Sequence, residues 1–99
     1  MLSKLVIDGG NVESLEDVYD LVAQLPDIPA WFGRNLDALD ELGSFIKYPL
    51  EITVRHPKAL ERNLGRKDFA VLIDVLENLR DMEDEFEPAF PVSLVIEQS

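Results

Sequence analysis

Cysteine is absent from the 99 residues, and histidine occurs once, at His56. A disulfide framework, a cysteine-based zinc site and a Cys–His nucleophile pair are therefore excluded. Basic residues are scarce: nine Lys and Arg stand against twenty Asp and Glu, a formal net charge of −11. Such a chain repels phosphate backbones, which argues against a nucleic-acid partner, and it attracts a basic protein. No apolar run approaches the roughly 20 residues that a membrane helix needs. The chain reaches its first acid, Asp8, with no long apolar stretch. Neither a secretory leader nor a membrane location is expected, and the expected compartment is the cytoplasm. The hydrophobic fraction of 46% is too high for the charge to signal disorder. The length suits one domain over residues 1–99, large enough to bury a core without covalent staples.

Apolar periodicity then organises the chain. Leu5 to Ile7 is a β-prone run closed by Asp8-Gly9-Gly10, a strand followed by a turn. Ser14 and Asp17 approximate a capping box, and Leu15, Val18, Leu21, Val22 and Leu25 follow at helical spacing up to Pro26. Asn35 is placed to cap a short second helix with Leu36, Leu39 and Leu42 on its apolar stripe. Leu50, Ile52 and Val54 alternate with Glu51, Thr53 and Arg55, which predicts a strand with unequal faces, an edge strand by this pattern. Pro57 opens a third helix, and Gly65 ends it. Asp68 caps the fourth, whose stripe runs from Phe69 through Leu72, Ile73, Leu76 and Leu79 to Met82. Residues 83–91 read as a loop held from helix by Pro88 and Pro91. Val92, Leu94, Val95 and Ile96 form a last strand, apolar enough to predict burial on both faces. The order β-α-α-β-α-α-β predicts an α/β fold: a small three-stranded parallel sheet with about four helices.

Charge is segregated. Residues 8–41 hold nine acids and one base, Arg34, and residues 68–99 hold nine acids and one base, Arg80. Residues 55–67 reverse this, with five bases against Glu61. Most acids fit the solvated faces of amphipathic helices. The informative segment is residues 28–41, where Trp31 and Phe32 precede Gly33, and a helix opening with carboxylates follows. Binding residues concentrate on loops held by a scaffold. Asp37 and Glu41, four apart, share a helix face with Asp40 close by, an arrangement that repels itself unless a partner supplies Arg or Lys. The alternative is structural: an aromatic closing the core under the loop, and Asp37 serving the helix dipole.

The run Trp31-Phe32-Gly33-Arg34-Asn35-Leu36-Asp37-Ala38-Leu39, followed by an acid and later by Tyr48-Pro49, resembles the barstar family of ribonuclease inhibitors. Ile7-Asp8-Gly9 and Ser14-Leu15-Glu16-Asp17 extend the resemblance over about the first 55 residues. It implies the same α/β fold, no enzyme activity, and no cofactor or metal. The implied role is to plug the active site of a small ribonuclease inside the producing cell. By position, Trp31 and Phe32 fall on the family's aromatic pair, beside Gly33. Asn35 and Asp37 fall on identical residues. Glu41 falls on the family's decisive acid, an Asp there. Asp40 replaces a tryptophan. The interval from Asp37 to Pro49 is one residue short, which leaves Phe45 near a later aromatic, and Glu77 matches a supporting glutamate within one residue of register.

These departures lie in the contact surface and keep a second reading open, an acidic interaction domain of the same fold with a non-nuclease partner. A different nuclease toxin is a third possible target class. A carboxylate-based enzyme would need more than Asp37, Asp40 and Glu41, and the sequence carries no phosphate-binding glycine loop, nucleophile elbow or HExxH pattern.

Overall fold

The computed structural model describes residues 3–26, 28–29, 31–42, 46, 48–81 and 92–97. In chain order the elements are β1 (Ser3–Asp8), α1 (Leu15–Ala23), α2 (Leu36–Asp40), β2 (Leu50–Arg55), α3 (Pro57–Leu64), α4 (Arg66–Asp81) and β3 (Val92–Ile96). The three strands form one parallel sheet in the order β1-β2-β3. The α/β expectation holds, with three parallel strands and four helices.

Two strand assignments change. The alternating strand β2 is the centre of the sheet, and the apolar strand β3 is an edge. Alternation arises because burial is one-sided: Leu50, Ile52 and Val54 lie at 1% exposure or less, while Glu51 and Thr53 are half-buried and Arg55 is exposed. The register lines Leu5, Ile52 and Leu94 across the inner face, and Val6, Thr53 and Val95 across the outer one. Val95 is 45% exposed and Ile96 40%, so the apolarity of β3 does not mean two-sided burial. The core joins this inner face to Val18 and Val22 of α1, Leu39 of α2, Leu60 of α3 and Leu72, Leu76 and Leu79 of α4.

Turns fix where the helices start. Gly9 is buried, and a Cβ there would lie 2.2 Å from the His56 carbonyl oxygen and 2.6 Å from the Leu60 nitrogen. Only glycine permits that approach, because both neighbours are backbone. The Asn63 amide donates to the carbonyls of Gly9 and Val12, at 3.0 Å each, pinning the β1–α1 loop to α3. Gly65, at φ +90, donates to the Glu61 carbonyl and accepts from the Phe69 amide, so one residue closes α3 and opens α4. Helix α4 therefore begins at Arg66. Asp68 is not its cap but lies in its first turn, where the dipole favours an anion. The capping box at α1 forms only in part. The Ser14 side chain makes no cap bond, while the Asp17 carboxylate accepts from the Glu13 amide at 2.9 Å.

Candidate partner-binding surface

The loop between α1 and α2 is anchored at its start by the buried residue Tyr48, whose hydroxyl donates to the Pro26 carbonyl at 2.8 Å. Further on, the Phe32 amide donates to the Pro29 carbonyl at 3.0 Å, a tight turn. That turn divides the aromatic pair. Phe32 packs half-buried against the core, and Trp31 is 73% exposed. Phe32 thus lies on the core side of the turn, and Trp31 lies at the surface.

Gly33 makes room for the cap that follows. A Cβ there would stand 3.0 Å from the Asn35 side-chain nitrogen Nδ2 and 3.2 Å from the Ala38 Cβ. Asn35, in extended conformation, accepts from the Ala38 amide through Oδ1 at 2.8 Å, as its sequence position predicts. Helix α2 buries Leu39, half-buries Leu36, and packs on α4. Its remaining surface is acidic: Asp37 and Asp40 are exposed, and so is Glu41, which continues in helical geometry as the C-cap. The neighbouring helix α1 adds exposed Glu16 and Asp20. Glu77 is half-buried on α4, the helix against which α2 packs. Phe45 lies outside the described residues.

One residue of the surface is invisible to spacing arguments. Arg34 turns its guanidinium onto α1, where Nη2 donates to Asp20 Oδ1 at 2.5 Å, to Glu16 Oε2 at 3.2 Å, and to the Glu16 carbonyl at 3.4 Å. The hydrogen bond to Asp20, then that to Glu16, holds this guanidinium above its usual range. The sequence signal was its position as the one base among the nine acids of residues 8–41. Behind the loop lies a cavity of about 150 Å³ lined by Tyr19, Val22, Ile28, Phe32, Arg34 and Leu39. Burial pushes the Tyr19 hydroxyl above its ordinary value, and the charges of Glu16 and Asp68 add to this. Among the described residues, no group of His, Asp and Glu side chains is arranged to hold a metal ion.

The family model described as Barstar (barnase inhibitor) matches residues 2–95. The chain belongs to the barstar family. It is also 33% identical, over 86 residues, to a Bacillus subtilis (strain 168) protein described as "Putative ribonuclease inhibitor YrdF". That match spans 86% of this chain and 94% of the relative. Family membership therefore covers the second half of the chain as well, where the quoted motifs are sparse. It supports a role like that of a ribonuclease inhibitor, with a ribonuclease as the class of partner.

Proposed function

We propose that this barstar-family chain is an intracellular inhibitor that occludes the active site of a small basic ribonuclease or nuclease toxin with α2 and the Trp31 loop. The observation that carries this reading is the division of α2. One side is fixed in the core by Leu39, the start is capped by Asn35, and Asp37, Asp40 and Glu41 are all exposed, as is Trp31 in the loop that leads into the helix. Active sites of small ribonucleases bind RNA phosphate with cationic side chains. A rigid row of carboxylates can occupy those positions as an anionic mimic, and opposed fields accelerate encounter and set orientation. The exposed Trp31 adds an aromatic anchor of the kind that dominates interfaces. In this reading Asn35 acts by holding α2, Glu41 is the central charge, and Glu77 on α4 is a flanking one. Phe45 joins the surface by its place in the sequence alone.

A second reading, a non-nuclease partner, is favoured by one observation. Asp40 is an exposed carboxylate where the resemblance places a tryptophan. The two are separated by titrating the chain into a barnase-type ribonuclease and following residual RNA cleavage, with Glu41→Ala in parallel. Stoichiometric inhibition is expected, with an association rate that falls as salt is raised. Glu41→Ala removes charge-assisted hydrogen bonds worth about 2 kcal/mol, roughly a 30-fold loss of affinity. Its exposed side chain predicts an unfolding midpoint close to that of the parent. Full ribonuclease activity at equimolar inhibitor removes that ribonuclease as the target and leaves a different nuclease toxin or the second reading.

A further inference from the structure

We propose that Arg34 is a positioning residue for partner binding: held by Glu16 and Asp20 of α1, it ties down the loop that presents Trp31 and Asn35 and pairs its own positive charge with two carboxylates. The inference rests on α2 and the Trp31 loop being the partner-binding surface.

Arg34 stands between Gly33 and the cap residue Asn35, at the positive end of the α2 dipole. A free cation there is unfavourable for the helix and repels a basic partner. The side chain instead reaches across to α1 and meets two carboxylates and a backbone carbonyl. Glu16 and Asp20 are four residues apart on α1, so they share a face and repel each other. One guanidinium relieves that repulsion and neutralises itself. All three contacts run from the single nitrogen Nη2, so a lysine ammonium, a point charge with three donors, can keep part of them. The contact joins residue 34 to residues 16 and 20, and so it ties the last part of the long connection between α1 and α2 back onto the body of α1. Trp31 and Gly33 are exposed, and a surface loop held in one shape loses less freedom when it binds.

Two physical effects of removing Arg34 have opposite signs. Coulomb attraction alone makes the acidic surface more negative and binding to a basic ribonuclease tighter. Loss of positioning makes binding weaker. The test compares the intact chain with Arg34→Ala, Arg34→Lys, Asp20→Asn and the Arg34→Ala/Asp20→Asn double variant, each with a barnase-type ribonuclease as the probe. The expected result for Arg34→Ala is an affinity loss of about 3- to 10-fold, the scale of an exposed ion-pair network, carried mainly by faster dissociation. Arg34→Lys recovers part of it. In the double variant the losses do not add, because both substitutions break one contact.

A second measurement needs no partner. The chain has a single tryptophan, Trp31, three residues before Arg34, and its time-resolved fluorescence anisotropy reports loop motion. Arg34→Ala is expected to speed local depolarisation and Arg34→Lys to restore part of the order. Equal or tighter ribonuclease binding by Arg34→Ala overturns the inference. Unchanged Trp31 anisotropy overturns it whatever the ribonuclease does. If the parent chain leaves the ribonuclease active, the functional reading fails for that target, and the anisotropy alone decides whether Arg34 orders the loop.

Discussion

Asn35→Ala separates the presentation of α2 from the charges that α2 carries. The helix has only five residues, about 7.5 Å of rise, far below the length at which an isolated helix holds in water. Its stability comes from Leu39, from the packing of α2 on α4, and from the Asn35 Oδ1 bond to the Ala38 amide at 2.8 Å. Replacing an Asn cap with Ala costs about 1 kcal/mol. In a chain of this size that lowers the melting temperature by about 4–8 °C. A domain with roughly 5–15 kcal/mol of stability survives the loss, so the variant remains folded while the start of α2 frays. Inhibition should then weaken together with stability, whereas Glu41→Ala weakens inhibition alone. Asn35→Asp keeps the acceptor oxygen and adds an anion at the helix N-terminus, so its unfolding free energy should stay within about 0.5 kcal/mol of the parent. Thermal unfolding followed by far-ultraviolet circular dichroism, alongside ribonuclease titration, measures both quantities. Equal destabilisation by Ala and Asp would refute the capping argument. So would an Ala variant as stable as the parent, since α2 would then owe nothing to its cap.

Two further outcomes follow from the scaffold. Gly9→Ala places a methyl 2.2 Å from the His56 carbonyl oxygen, and the backbone must move, at a cost of about 3 kcal/mol or more. A urea midpoint near that of the parent would show that the β1–α1 turn yields more easily than its packing indicates. The second outcome concerns Tyr19, whose ionisation is raised above 10.0 first by burial and then by Glu16 and Asp68. Folding favours the neutral phenol, so this residue leaves stability unchanged below pH 10 and reduces it as pH rises from there through the raised value. Phenolate absorbance in a Tyr48→Phe background follows Tyr19 alone, and a midpoint at or below 10 contradicts the assignment.

The strands and helices were legible because each carries its own period. The Ser14, Asp37 and Asn35 positions were also readable, since helix starts have local chemistry. The capping detail was less so: Ser14 leaves its cap unmade, and Asp17 serves the Glu13 amide instead. Asp68 was displaced from a cap to a first turn because Gly65 joins α3 and α4 through a single residue. β2, read as an edge strand, is the centre of the sheet, and β3, read as buried on both faces, is an edge. An alternating strand inside a one-sided sheet has the same pattern as an edge strand, and an apolar edge strand reads like a buried one. At the candidate site, Trp31, Asn35, Asp37, Asp40 and Glu41 were singled out by type and spacing, but nothing local assigned Trp31 to solvent and Phe32 to the core. That division depends on the turn closed by the Phe32 amide and the Pro29 carbonyl.

By itself the sequence determined composition and therefore field: an acidic chain, without cysteine, whose bases are confined mostly to residues 55–67. It also determined the family, through short motifs whose residues each have a local duty, such as Gly9 at a crowded turn and Asn35 at a helix start. Tertiary structure alone decided which acids stand together. Glu16 and Asp20 are brought to Arg34 across 14 to 18 residues of chain, and α2 is set on α4, the helix that carries Glu77. Ion pairs between distant segments leave no periodic trace, because they depend on where loops place side chains in space.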